Sequence, residues 1–221
     1  MATPEQLVLR DKFTVLERER LLADGAKIYL PRYLTIEQQE VAQSEKGQPA
    51  LSYKTQVADG LLDLPSRPIE MAIYPGLKRF FVEGSFDKDI TTQETLVAEA
   101  GQCRSKRLGL PWITQIIARE AATLSDITFQ HLNQTGVWLF GPTYAATQGE
   151  EWVYSRTKDP TDISKNGFWF AFVGGVRLGG LQIRDWPGIG VPFIGVIHLV
   201  VAVAQVDRVP DVEMEKLLVA A

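Results

Sequence analysis

The hydrophobic and polar positions of this chain follow two different periods, and the change falls near residue 135. Before it, one stripe at helical spacing runs through a predicted helix that Pro111 begins: Ile113, Ile116, Ile117, Ala121, Leu124 and Ile127. After Gly136, aromatic and β-branched residues predict strands at 137–140, 151–156, 168–173, 176–186 and 196–206. The pattern predicts an α+β protein whose helical N-terminal and middle segments pack on a C-terminal antiparallel β-sheet.

The first half of the chain is divided by helix signals and by prolines. Residues 3–25 predict a helix, with Thr3 as N-cap, Pro4 at the first helical position and Gly25 at its end. Leu7, Leu9, Phe13 and Val15 also fit a period of two, so a strand remains the alternative. Further elements are an extended segment at 27–34, a polar helix at 35–43, an exposed loop at 44–50, strands at 71–74 and 79–82, and a helix at 91–108.

Turn signals organise the C-terminal part. Asn166-Gly167 and Gly174-Gly175 predict tight turns, and the polar segment 157–167 predicts a long exposed loop. A chain of 221 residues is expected to form a single domain, 1–221, with a sub-boundary near 134–136 between a helical part and a sheet part at 135–210.

Residues 188–206 form an apolar run as long as a membrane span, with His198 and Gln205 as its polar side chains. Val and Ile dominate it, and large and small residues alternate from Val196 onward, which favours a strand buried on both faces. Pro192 and Gly195 interrupt the run. A bend and a long strand are therefore expected, and a membrane helix is the alternative.

Composition limits the classes of partner and compartment. A net charge of −4 argues against a protein that binds nucleic acid through its overall charge, and it gives no support for attachment to an anionic membrane surface. One cysteine, Cys103, allows no disulfide within the chain, and the N-terminus lacks the features of a secretory signal. An intracellular location, or one within an assembled particle, is the expectation.

Motifs for catalysis, cofactors and metals are not found. Gly190 and Gly195 have the spacing of a phosphate-binding loop, but Val196 and Ile197 stand where Lys and Ser or Thr are needed. Some side chains could take part in binding or catalysis, although no motif supports such a role. They are His131, His198, Cys103 and the basic cluster Arg104, Lys106 and Arg107. The sequence therefore assigns no catalytic, cofactor-binding or metal-binding residue.

The leading functional hypothesis follows from the need to cover apolar strands. If the helices cover one face only, the remainder forms an interface, which predicts a non-enzymatic subunit that self-associates, for example in a virus or phage particle. The candidate interface residues are Phe168, Phe170, Phe172, Phe193, Ile197, Leu199, Val201 and Val203. One alternative is a small-molecule-binding protein or enzyme with a pocket lined by Trp138, Trp152, Trp169 and Trp186. The other is a membrane-anchored protein held by residues 188–206.

Overall fold

The structure, a computed structural model, describes residues 8–55, 62–162, 169–177 and 180–204. Its helices are α1 (Val15–Ala23), α2 (Ile36–Ser44), α3 (Ile90–Leu108), α4 (Ala121–Thr135) and α5 (Pro142–Ala146), with a 3₁₀ turn at Leu77–Arg79. Its strands are β1 (Lys27–Tyr29), β2 (Leu51–Lys54), β3 (Met71–Ile73), β4 (Ile113–Ile116), β5 (Tyr154–Asp162), β6 (Trp169–Arg177), β7 (Gly180–Pro187), β8 (Ile194–Gly195) and β9 (Leu199–Ala202).

The strands form two sheets, so the prediction of an α+β fold is confirmed. The first sheet has the order β1-β3-β9-β4, and all its pairs are antiparallel. The second has the order β2-β7-β6-β5-β8, in which β2 and β8 run parallel to their neighbours and the central pairs are antiparallel. Strands from the N-terminal, middle and C-terminal parts of the chain thus share one sheet, and pairing crosses the expected sub-boundary at 134–136.

The main core lies between the two sheets and α4. Its side chains come from the first sheet (Met71, Ile73, Leu199, Val201), the second sheet (Ala171, Val173, Leu181, Ile183) and α4 (Leu124, Ile127, Phe129). The opposite face of the first sheet packs against α1 and the end of α3, through Ala72, Ile113, Val200 and Ala202. Both faces of β9 are therefore covered by this chain itself, because neighbouring residues point to opposite sides of a strand.

Helix ends largely follow their capping signals, although α1 begins later than predicted. Thr14 caps α1 and accepts a hydrogen bond from the Glu17 amide, whereas residues 8–14 lie outside the helix. Leu9 instead forms a β-bridge with Val203. The predicted helix over 3–25 is thus wrong for 8–14, and residues 3–7 lie outside the described part. The helices predicted at 35–43 and 91–108 are present as α2 and α3.

Several predicted elements of the second half are wrong. The helix that Pro111 was expected to begin is divided between β4 and α4, because β4 pairs with β9 through Ile113–Ile116. Residues 137–140 form no strand. The expected loop at 157–167 is strand β5 as far as Asp162, with Thr157 and Asp159 buried, and 163–167, including the predicted Asn166-Gly167 turn, lies outside the described residues.

The segment 79–82 is also not a regular strand. Arg79 ends the 3₁₀ turn, and Phe81 forms an isolated bridge with Ile197. Gly174 and Gly175 do not form a turn, since both lie inside β6.

The apolar run serves both sheets. Its described part, residues 188–204, contributes β8 to the second sheet and β9 to the first, so the expected 11-residue strand is wrong. Among the helices in the described ranges, none has the length and hydropathy needed to cross a bilayer.

Candidate functional site

An aromatic pocket of about 490 Å³ lies on the face of the second sheet that points away from the main core. β5, β6 and β7 supply most of its lining, β2 adds Tyr53, and Phe193 comes from the segment before β8. The complete lining is Tyr53, Trp152, Tyr154, Trp169, Phe172, Arg184, Asp185, Trp186 and Phe193. Its volume is in the range of small-molecule sites, which are usually apolar with a few polar groups.

The aromatic walls meet at steep angles. Phe193 contacts Tyr154 with ring centroids 6.0 Å apart and an interplanar angle of 60°, and it contacts Trp186 at 6.5 Å and 76°. Such edge-to-face contacts satisfy the quadrupoles of the rings and hold adjacent walls in fixed orientations. Trp186 keeps 43% of its surface exposed and Tyr53 keeps 44%, so both rings border the mouth of the pocket.

Two opposite charges border the aromatic lining. The Arg184 guanidinium lies 4.6 Å from the centre of the Tyr53 ring, and its Nε donates to Gln182 Oε1 at 2.9 Å. Asp185 Oδ1 accepts a hydrogen bond from the Thr55 hydroxyl. These contacts hold both side chains in place. The charges of Arg184 and Asp185 are opposite, so the lining has no net formal charge.

A buried arginine supports the floor of the pocket from one side. The Arg156 guanidinium lies 5.1 Å from the centre of the Phe172 ring. Its Nε donates to Gln93 Oε1 at 2.6 Å and its Nη2 donates to the Ile189 carbonyl at 2.8 Å. Burial lowers the pKa of Arg156 to about 10, so it remains cationic at neutral pH. Arg156 thus contacts α3, the segment after β7 and the Phe172 ring of the pocket floor at the same time.

Tyr154 is positioned by two glycines. A Cβ on Gly174 would overlap the backbone of Val153 and Tyr154, and a Cβ on Gly175 would overlap the Tyr154 phenol. The phenol lies across this glycine pair and donates from its hydroxyl to Gln182 Oε1 at 2.7 Å. The Gly174-Gly175 pair therefore gives room to a pocket residue instead of making a turn.

The pocket brings together three of the four tryptophans named from the sequence. Trp152, Trp169 and Trp186 line it, whereas Trp138 packs on the main core with its ring centroid 6.1 Å from that of Phe129. Sequence reasoning missed Tyr53, Tyr154, Arg184 and Asp185. The period of two along β7 was an available signal for Arg184, which shares a face with Trp186, but not for the adjacent Asp185. No sequence pattern indicates that β2 pairs with β7.

The residues named as a candidate interface lie mostly inside this chain. Ile197, Leu199 and Val201 are buried in the main core, and Val203 is buried beside Leu9. Phe172 is buried on the opposite face of the second sheet, where it lines the pocket. Phe170 and Phe193 are half-buried, and Phe193 lines the pocket. Phe168 lies outside the described residues.

The histidines and the cysteine that were considered from the sequence do not line the pocket. His131 is buried with its Nδ1 2.6 Å from the Tyr29 hydroxyl, and burial lowers its pKa to about 4. His198 is half-buried beside Gln115. Cys103 is exposed, because the buried face of α3 is formed by Gln93, Val97, Gly101 and Arg104.

The basic cluster does not form one exposed surface. Arg104 is buried, Lys106 is exposed, and Arg107 binds Asp24 through two contacts of 2.7 Å. In the described part of the chain, no group of three His, Cys, Asp or Glu side chains is placed to hold a metal ion.

Comparisons of this chain with protein-family models, with curated proteins and with solved structures find no match.

Proposed function

We propose that this protein binds a small, uncharged ligand containing a heteroaromatic ring in the aromatic pocket. The observation that carries the proposal is the convergence of Trp152, Trp169 and Trp186 on one open cavity of about 490 Å³. Three large aromatic side chains at one partly solvated surface are costly unless something covers them. A bound ring would bury their exposed area.

The chemistry of the lining supports this ligand class. Flat aromatic walls offer stacking and edge-to-face contacts to a ring. Arg184 supplies donors and Asp185 supplies acceptors at the border of the same cavity, which suits a ring whose edge carries both kinds of hydrogen-bonding group. The opposite charges of this pair give no preference for a charged ligand. The Tyr53 ring already makes a cation–π contact with Arg184, so it does not require a cationic ligand.

Tryptophan fluorescence tests the proposal directly. The full chain is titrated with adenine and thymine as uncharged heteroaromatic probes, and with glucose and tetramethylammonium as comparison probes. Saturable quenching by a heteroaromatic probe is the expected result, and Trp186→Leu is expected to weaken that binding at least tenfold. Trp186 is the suitable position because it is partly exposed, so its loss disturbs the core little.

Trp138→Leu is the matched control. It removes the same side chain from a site against Phe129 and outside the pocket, so the affinity for the probe should change less than twofold. Binding that is equally weakened by both variants would argue against the pocket as the site. Failure of every probe to bind would reject the proposed function, and preferential binding of glucose or tetramethylammonium would reject the ligand class.

Self-association is a second candidate function, and the exposed apolar residues of α1 favour it. Val15 is 74% exposed and Leu22, two turns later on the same side, is 52% exposed. Two such helices from two copies would cover each other. Light scattering after gel filtration tests this: a dimer or larger assembly that Val15→Glu converts to monomer is expected, and a monomeric wild-type protein would reject it.

A further inference from the structure

A polar cluster occupies one end of an otherwise apolar face of the first sheet. Tyr74 follows β3, Gln115 lies in β4, and His198 precedes β9, all on the face that carries Val200 and Ala202. Helix α3 covers this end of the sheet and places Arg104 over the Tyr74 ring, with its guanidinium carbon 4.0 Å from the ring centre. We refer to Tyr74, Arg104, Gln115 and His198 as the Arg104 cluster.

Arg104 is a buried cation, and among the described residues none accepts a hydrogen bond from its Nε or Nη1 group. The residue is 8% exposed, and its Nε and Nη1 atoms are fully buried with no hydrogen-bond partner. In the described ranges it forms no ion pair with a carboxylate. The stacking contact with Tyr74 stabilises the flat face of the guanidinium, but it leaves the N–H groups at the edge unsatisfied. A buried charge in this state normally requires a counter-charge.

Gln115 adds a second unsatisfied donor. Its Oε1 lies 2.7 Å from His198 Nδ1, and because an amide oxygen can only accept, the imidazole N–H donates in this contact. The Gln115 Nε2 group is then buried without an acceptor. Burial, together with Arg104 and Arg79, lowers the pKa of His198 to about 3, so the imidazole is neutral and adds no charge to the cluster.

The surroundings of the cluster carry an excess of positive charge. Arg79 lies over the Tyr74 ring at 4.5 Å from its centre, and Arg107 is three residues beyond Arg104 on α3. Asp24 lies at this surface, and Arg79 and Arg107 both bind it at 2.7 Å. Asp24 is therefore paired with two guanidinium groups, and in the described ranges no carboxylate forms an ion pair with Arg104. The exposed arginines also raise the local concentration of anions near the cluster.

We propose that the Arg104 cluster is a binding site for a small oxyanion such as inorganic phosphate. The unsatisfied groups of Arg104 and Gln115 are all donors, and the unprotonated oxygens of an oxyanion accept hydrogen bonds. Water can accept some of these hydrogen bonds, but it cannot compensate a buried guanidinium charge. An oxyanion does both, and forked hydrogen bonds from a guanidinium to phosphate oxygens are among the strong ones in proteins.

Calorimetric titration of the full chain with phosphate, in chloride buffer of constant ionic strength, tests the site. Saturable binding at one site is expected, and sulfate should compete with it. Arg104→Met should weaken phosphate binding at least tenfold. Gln115→Met is a second variant that keeps the charge of Arg104 and removes the amide donor, so a smaller loss of about three- to tenfold is expected.

Arg119→Met is the matched control, because Arg119 is exposed and its loss changes the net charge by the same amount. It should alter the affinity for phosphate less than twofold. Phosphate binding by the wild type that is equal in Arg104→Met, or weakened equally by the Arg119 control, would overturn the assignment. The absence of saturable binding by the wild-type protein would also overturn it, and would mean that water alone solvates the cluster.

Discussion

At Gly175 the backbone has a φ of +56°, and the Tyr154 phenol occupies the space that a side chain would need. Gly175→Ala therefore introduces both backbone strain and a clash with a pocket residue. We expect the free energy of unfolding to fall by about 2–4 kcal/mol, the strain and clash together. Ligand affinity in the pocket should fall as well, because Tyr154 must move. Chemical denaturation and the fluorescence titration measure the two effects.

Gly149→Ala separates strain from the clash. Gly149 has a φ of +71° and nothing within 4 Å of its position for a Cβ, so only the strain of about 1–2 kcal/mol should appear. If Gly175→Ala and Gly149→Ala lose the same stability, the clash with Tyr154 contributes nothing to the loss at Gly175.

Asp159 is a carboxyl group whose burial opposes its ionisation. The carboxyl accepts a hydrogen bond from the Ala121 amide at 2.9 Å, yet burial raises its pKa to about 6, with a smaller contribution from the charge of Glu120. The folded state thus binds a proton that the unfolded state has released above pH 4. The contribution of Asp159 to stability is present below its unfolded pKa and is lost as the pH rises through 6.

Asp159→Asn should remove this pH dependence. The amide cannot ionise, and its oxygen can still accept from Ala121, so the variant should be more stable than the wild type at pH 7.5, by at most about 3 kcal/mol. At pH 4 the two proteins should have nearly equal stability. Urea denaturation at both pH values measures the difference, and a constant difference between them would contradict the shifted pKa of Asp159.

At the scale of the element, α3 and β4 approach each other at Gly101. A Cβ there would lie 2.9 Å from the Gln115 backbone nitrogen, which cannot move without disturbing the pairing of β4 with β9. Alanine in a helix interior normally stabilises it by about 1 kcal/mol relative to glycine. At Gly101 we expect the opposite, because overpacking costs about 1–3 kcal/mol. Thermal unfolding of Gly101→Ala measures the sign.

Gln102→Ala provides the comparison on the same helix. Gln102 is exposed, so its replacement tests helix propensity without the contact to β4, and stability should change by less than about 0.5 kcal/mol. A stabilised Gly101→Ala protein would mean that α3 and β4 separate without cost.

Elements whose signals are local could be predicted from the sequence. Thr35 with Gln38 begins α2, and Gly109 with a φ of +63° ends α3. Elements that depend on distant partners could not. Ile113–Ile116 continues the helical stripe of α4, yet it is a strand because β9, more than 80 residues later, pairs with it. Likewise, apolar residues of 188–206 indicated burial, but not that two sheets share them.

At the scale of the whole molecule, the candidate site could be predicted only in part. The tryptophans indicated an aromatic pocket, whereas the position of Arg184 on the same face of β7 as Trp186 is seen only in the structure. The pocket itself depends on the order of strands in the second sheet, which brings Tyr53 of β2 beside β7. The Arg104 cluster depends likewise on the contact of α3 with the first sheet, and an amino-acid pattern does not specify such a contact.

The response of the whole protein to acid is expected to depend on its two histidines. Burial lowers the pKa of His131 to about 4 and that of His198 to about 3, whereas both titrate near 6.5 in the unfolded chain. Below pH 6.5 the unfolded state binds protons that the folded state excludes, so the stability that the neutral histidines provide is lost as the pH falls. The histidines thus make the protein less stable as the pH falls, whereas Asp159 makes it more stable. We expect the effect of the two histidines on stability to be larger than that of the one carboxyl group.

His131→Asn should therefore reduce the loss of stability between pH 6.5 and pH 4.5. The Asn side chain can keep a hydrogen bond to the Tyr29 hydroxyl, but its smaller size lowers stability at pH 7.5 by about 1–3 kcal/mol. Tyr29→Phe is the control, since it removes the hydroxyl, keeps the histidine, and should lower stability while preserving the dependence on pH. Urea denaturation between pH 6.5 and pH 4.5 distinguishes the two variants. If the free energy of unfolding of His131→Asn falls with pH as steeply as that of the wild type, other groups cause the acid sensitivity.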